Sequence, residues 1–363
     1  MRAMSPMVPR SPVPPAARIP AVGAVDRPAR RVADHVADHV AYRVAYRAPL
    51  DWPALLGFLG QRAIDGVESV DDRGAPDGTA ARAYRRVVRV GAGGDGAGAV
   101  GWIEVRAPAT DARPVAAGRA GAARASASAS ARPHLLLHAD PALEPVAAAL
   151  RARVRHALDL GCRPVEVASA LGSLAAGHEG LRLPGAFDAH EIGVRAILGQ
   201  QITVRQARVL AGRFVAAFGD PVATPWPALT HAFPTATSIA ARDPAEIGAL
   251  GVTRQRARTL VELAAAIASG AIDLAPGADP VATIARLKAI RGIGDWTAQY
   301  LAMRALHFAD AFPAADVGVM RALGVASPRA ASAAAEAYRP WRGYAVIHLW
   351  RSLAPSAHEE VPR

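Results

Sequence analysis

The spacing of apolar residues changes character along the chain. From Asp51 the run DWPALLGFLGQRA repeats its apolar positions at helical intervals and predicts a helix. Three shorter segments, YRRVVRV (84–90), WIEV (102–105) and HLLLH (134–138), are dense in β-formers and separated by Gly-rich turns, so they read as strands. Residues 107–133 are dominated by Ala, Ser, Gly and Arg and cannot build a core, which makes them a flexible insertion between two strands. After about residue 142 the pattern becomes helical. The run VRQARVLAGRFVAAF sets Val204, Ala207, Ala211, Phe214, Val215 and Phe218 on one predicted face, and Asp188 with Glu191, like Asp243-Pro244 with Glu246, have the residues of capping boxes. The expected class is α+β, with a disordered basic tail over 1–45 that contains the repeat ADHVADHVAYRVAYR (33–47), and an N-terminal α+β domain over 46–164. A helical domain is expected over 189–308, and a second helical domain from 165–188 together with 309–363.

Composition narrows the function classes. The chain of 363 residues is 52% hydrophobic, enough for sizeable cores, yet it has no run of about 18 apolar residues. A soluble cytoplasmic protein without a membrane partner is expected. The single cysteine, Cys162, excludes an intramolecular disulfide and a four-cysteine iron–sulfur or zinc site, and reads as a small buried residue. His35 and His39 stand four apart without a third ligand nearby and read as incidental to the repeat. A net charge of +11 favours a polyanionic partner. Among 42 basic residues only Lys288 is a lysine.

The segment LKAIRGIGDWTAQYLAMRAL (287–306) joins these threads. Val281, Ile284 and Leu287 stand at helical spacing before the pair Gly292 and Gly294, Trp296, Tyr300 and Met303 likewise after it, and the pair interrupts the pattern. Two helices joined by the turn Ile290-Arg291-Gly292-Ile293-Gly294 make a helix-hairpin-helix. Its backbone N–H groups and small glycines suit a DNA phosphate, with Thr297 completing the apolar-x-Gly-apolar-Gly-x-x-Thr-Ala pattern. Asp316, in DAFPAADVGVMRAL, stands at the start of another predicted helix and reads either as an N-cap or as a carboxylate placed to meet a sugar carbon.

The hairpin followed by an aspartate in a Gly/Pro-rich loop resembles the helix-hairpin-helix DNA glycosylase superfamily. Within it, DWPALLGFLGQRAIDGVESV (51–70), LEPVAAAL (143–150), GLRLPGAFDAHEIGVRAILGQQITV (180–204) and PWRGYAVIHLW (340–350) resemble the DNA-3-methyladenine glycosylase II family. The resemblance implies a TATA-binding-protein-like N-terminal domain before two helical domains. It implies a monomer that acts on duplex DNA near the nucleoid, flips an alkylated base out and hydrolyses its glycosidic bond. Asp316 would be the catalytic carboxylate, and Trp296, Tyr300 and Trp350 the aromatic pocket for a cationic base. Gln200 and Gln201, with Gly292, Ile293, Gly294 and Thr297, would meet DNA; Gln201 takes the place of a bulky apolar wedge. No cofactor is required by the resemblance, although backbone carbonyls of Lys288, Ile290 and Ile293 would hold a monovalent cation. Trp296 occupies the position where strand-cleaving relatives carry a Schiff-base lysine, which implies hydrolysis without lyase activity. The remaining alternatives are a glycosylase of the same fold for another damaged base and a non-catalytic hairpin protein that binds DNA.

Overall fold

Runs in which apolar and polar side chains alternate pair into a five-stranded antiparallel sheet. It consists of β1 (Val40–Ala45), β2 (Glu68–Asp71), β3 (Ala83–Val90), β4 (Ala99–Arg106) and β5 (His134–Ala139), in the order β1-β5-β4-β3-β2. The computed structural model describes residues 39–71, 82–91, 98–108 and 132–353. Residues 1–38, His35 among them, and 109–131 of the expected insertion lie outside these.

Two strands of this sheet were not foreseen. The tail boundary at residue 45 is too late, because Val40, Tyr42 and Val44 turn toward the core while Ala41 and Arg43 face out, and the strand pairs with β5 in the register Val40↔Ala139. The Ala-rich repeat had hidden this period of two. The other, β2, holds only four residues, ESVD, and takes its place from pairing with β3.

Helix α1 (Trp52–Gln61) starts at Asp51, whose carboxylate accepts from Ala54 N at 2.9 Å, and buries Trp52, Leu55, Leu56 and Leu59. With Leu150 and Val154 of α2 (Ala147–Ala157), these residues cover a sheet face that carries Tyr84, Ile103, Val105, Leu135 and Leu137. Burial pushes the Cys162 thiol up to about 12, in keeping with a packing role.

The described residues beyond these form helices and loops, with one further strand pair, β6 (Asp220–Pro221) with β7 (His231–Ala232). In order come α3 (Pro164–Leu171), α4 (Ala189–Leu198), α5 (Val204–Phe218), α6 (Ala236–Ala240), α7 (Pro244–Gly248), α8 (Arg254–Ala268), α9 (Pro280–Ala289), α10 (Asp295–Arg304), α11 (Val317–Ala322), α12 (Pro328–Ala335) and α13 (Arg342–Ser352). One apolar core joins Leu183, Phe214, Leu260, Leu301, Met303 and Val346, so the two expected helical domains share it.

Local sequence signals were met unevenly. The Asp243/Glu246 capping box forms in full, and so does an unforeseen one at Thr203/Gln206. At α4 only half forms: Asp188 accepts from Glu191 N at 2.8 Å, but the Glu191 side chain turns to Arg86 and Arg195 instead. Val204, expected on a core-facing helix face, is 47% exposed in the first turn of α5, and Val281 is 71% exposed in the first turn of α9.

Between the sheet and α4 lies a buried ionic layer. Arg86 on β3 reaches Glu68 at 3.3 Å and Glu191 at 2.6 Å, while Arg195 on α4 pairs with Glu68 and, at 2.7 Å, with Glu191. Burial alone would raise the Glu68 carboxyl. The Arg195 and Arg86 charges, aided by hydrogen bonds from Tyr84 and Arg195, outweigh burial and hold it at about 2.

Candidate active site and nucleic-acid interface

The hairpin is built as its glycines require. Gly292 has φ +97, a conformation that side chains disfavour, and a Cβ there would collide with Thr259 Oγ1, which donates to Arg291 O at 2.8 Å. Gly294 begins α10 in extended backbone, with no side-chain cap and open space where a Cβ would stand. That leaves room for an external anion at the helix N-terminus.

Gln200 and Gln201 divide the work of the preceding loop. The Gln200 amide donates to Gly292 O at 3.0 Å and Thr297 Oγ1 at 3.1 Å, and Arg256 donates to Gln200 O. Gln200 therefore braces the hairpin from behind. Thr297 and Ile293 are 2% and 4% exposed, so their side chains serve packing and do not form an outer contact surface. What faces outward is Gly292, Gly294 and Gln201, the last in a left-handed conformation with φ +56.

Three elements converge on Asp316. As N-cap of α11, it accepts from Val319 N through Oδ1 at 2.9 Å. The same oxygen accepts from Trp350 Nε1 on α13 at 2.9 Å, and Oδ2 accepts from Trp296 Nε1 in the first turn of α10 at 2.9 Å. The N-cap reading is therefore met, and the same carboxylate also lines a cavity. Gly318 has a packing reason: a Cβ there would come within 3.1 Å of Asp316 Oδ1 and 3.2 Å of Trp350 Cδ1.

Asp316, Trp296, Tyr300 and Trp350 line one cavity of about 450 Å³, large enough for a purine. Trp296 and Tyr300, one helical turn apart, stack with ring centroids 5.3 Å apart and planes 10° from parallel. Tyr300 OH accepts from Arg304 at 2.8 Å; Arg304 also donates to the carbonyls of Pro184 and, at 3.2 Å, Gly185. Burial pulls the Arg304 guanidinium below its ordinary value.

The sequence reading missed the wall that α1 supplies. Phe58 packs against both apolar cores and lies 6.5 Å from the Trp350 ring, centroid to centroid. Arg62, just past the end of α1, stacks on Phe58 with its guanidinium carbon 3.9 Å from the ring centroid. The run GFLGQRA carries no chemical signature that separates such residues from an ordinary helix end.

At the turn, the carbonyls of Lys288 and Ile293 accept no hydrogen bond among the described residues, and that of Ile290 accepts one, from Ile293 N at 3.1 Å. These oxygens have lone pairs to spare, so they fit a monovalent cation. Lys288 itself pairs with Asp295 at 3.0 Å.

Residues 41–188 match the model of the AlkA N-terminal domain, and residues 194–335 that of the HhH-GPD superfamily of base excision DNA repair proteins. The DNA-3-methyladenine glycosylase 2 of Escherichia coli K12 is 34% identical over 302 residues, spanning 83% of this chain and 94% of that protein. A probable bifunctional transcriptional activator/DNA repair enzyme AlkA of Mycobacterium tuberculosis is 39% identical over 222 residues, 58% of this chain and 44% of that longer one. Among solved structures, the 3-methyladenine DNA glycosylase of Archaeoglobus fulgidus superposes with a TM-score of 0.63 at 21% identity over 85% of this chain and 97% of its own, which places the fold. The 8-oxoguanine glycosylase/lyase of Clostridium acetobutylicum, bound to double-stranded DNA, gives 0.53 at 15% identity, over 77% of this chain and 86% of that one.

Proposed function

The chain belongs to the DNA-3-methyladenine glycosylase 2 family of helix-hairpin-helix glycosylases, and from that premise we propose that it excises alkylated purines from duplex DNA by hydrolysing the N-glycosidic bond. The observation that carries this reading is the Asp316 carboxylate, held by two indole N–H groups on the wall of a purine-sized cavity.

The hairpin grips a phosphate through the N–H groups at the start of α10, with Gly294 allowing close approach. The damaged nucleotide leaves the stack and its base enters the cavity; Gln201, at the exposed tip beside the hairpin, fills the vacated place in the duplex. As the glycosidic bond breaks, positive charge grows on the sugar, and Asp316 stabilises it and orients the attacking water. The Trp296 and Trp350 donors fix the carboxylate before the reaction, so little reorganisation is needed. A purine alkylated at N3 or N7 is already cationic and leaves without strong protonation. Trp296 offers no amine to trap the sugar, and Lys288 is tied to Asp295, so the product is an intact strand with an abasic site. A monovalent cation on the carbonyls of Lys288, Ile290 and Ile293 would add positive charge where the phosphate docks. The protein acts as a monomer.

The test is base release from methylated duplex DNA, with the freed bases identified by mass spectrometry. Release of 3-methyladenine and 7-methylguanine above the spontaneous rate is expected. Tight DNA binding with no base release would leave a non-catalytic hairpin protein.

A further inference from the structure

Five arginines line the cavity, and four of them each make two or more side-chain hydrogen bonds. Arg86 and Arg195 belong to the ionic layer, Arg304 is held by two carbonyls and Tyr300, and Arg208 donates to Ala63 O at 2.8 Å and Asp65 at 3.3 Å. Arg62 differs. Its guanidinium makes one hydrogen bond among the described residues, a long one of 3.3 Å to Phe58 O.

Yet Arg62 is well anchored. Arg195 Nη1 donates to Arg62 O at 2.6 Å and fixes the backbone, and the Phe58 ring fixes the plane of the guanidinium. Stacking uses the face of the group and leaves its edge donors to another partner. Burial lowers Arg62 to about 10, against the attraction of Tyr300 and Asp316, so near neutral pH it remains a cation with donors only.

We propose that Arg62 is a specificity-determining residue of the base pocket, which reads the O6/N7 edge of a neutral 6-oxopurine. This rests on the glycosylase reading and sharpens its substrate class. An arginine fork matches O6 and N7 as paired acceptors, as it does in the major groove. Hypoxanthine presents both acceptors, 7-methylguanine keeps only O6, and an alkylated adenine turns an amino donor and a positive charge toward Arg62 and Arg304. The aromatic rings attract a cationic base, and the unsaturated guanidinium works against it; the two together broaden the pocket beyond cations.

The experiment measures single-turnover release of hypoxanthine from a defined duplex and of 3-methyladenine from dimethyl-sulfate-treated duplex, by wild type, Arg62→Met and Arg62→Lys. With uncatalysed release subtracted, Arg62→Met should lower the hypoxanthine to 3-methyladenine rate ratio by about tenfold or more, the scale of a lost hydrogen bond to a charged group. Arg62→Lys, which keeps the charge but not the fork, should fall between. An unchanged ratio, with both rates reduced alike, would make Arg62 a fold or backbone contact and overturn the proposal. Should Arg62→Met fail to fold by circular dichroism, a wild-type ratio in Arg62→Lys overturns it equally. Wild type that releases neither base would defeat the glycosylase reading itself.

Discussion

Asp316 accepts three hydrogen bonds, and only a carboxylate can accept all of them. In Asp316→Asn the amide can turn its oxygen to Val319 N and Trp350 Nε1, but its NH₂ then faces Trp296 Nε1, donor against donor. We expect base release to fall by at least about a hundredfold while DNA affinity, measured by fluorescence anisotropy, stays within a few-fold of wild type. A variant with near-normal turnover would reduce Asp316 to a helix cap. Trp350 lines the cavity and gives an N–H to Asp316. Trp350→Phe keeps a ring and loses the donor, so single-turnover release of cationic and neutral bases should drop together. A loss confined to cationic bases would instead assign Trp350 to charge recognition by its π-face.

At the scale of elements, the hairpin separates folding from function within two glycines. Gly292 is required by the fold: alanine there must adopt φ +97 against Thr259, and should cost about 1–3 kcal/mol, read as a lowered thermal midpoint. Gly294 has an ordinary φ of −88 and open space around it, so Gly294→Ala should leave the midpoint unchanged. Its methyl would instead enter the open space where the proposed phosphate contact lies. DNA affinity should therefore fall for Gly294→Ala irrespective of sequence, and wild-type affinity should drop steeply between 50 and 200 mM salt, about as counterion release requires. Full affinity in Gly294→Ala would move the anchor away from the α10 N-terminus.

Across the whole molecule, the sheet and the helices meet at the Glu68–Arg86–Glu191–Arg195 layer, and acid should destabilise the fold in two stages, first through two buried histidines outside this layer and then through Glu68. His156 and His348 are held at about 4 by burial first and then by His307 and His178 respectively, so both stay neutral in the fold. The unfolded chain binds those protons near the ordinary 6.5, and the corresponding stability is complete above that value and is lost as pH falls toward 4. Glu68, held at about 2, adds a second loss beginning below about 4.5. Chemical denaturation between pH 7 and 3 should show both stages; stability constant down to pH 4 would contradict the buried neutral histidines. Glu68→Gln, which leaves Arg86 and Arg195 short of a counter-charge, should cost about 3–5 kcal/mol at pH 7 and flatten the lower stage.

How much of this was legible beforehand follows from how local each signal is. The three central strands, the α+β class and the hairpin were readable because period-two runs, period-3.6 runs and a Gly-x-Gly break are set by neighbouring residues. Asp316 with Trp296, Tyr300 and Trp350 came from the family resemblance, and the structure brings all four to one cavity. The strands β1 and β2 escaped, one inside a repeat and one of four residues, because long-range pairing creates them. Glu191 looked like half of a capping box, yet its side chain serves Arg86, 105 positions away in sequence. Arg62 and Phe58 looked like the end of a helix. By itself, then, the sequence determined most of the helices, the three central strands, the turn between two helices proposed to meet DNA and the basic charge that would favour it. Only the tertiary structure decided which carboxylate is held by two indoles, which glutamine braces and which is exposed, and which of five arginines makes a single side-chain hydrogen bond among the described residues, because each depends on partners from distant segments whose spacing leaves no local pattern.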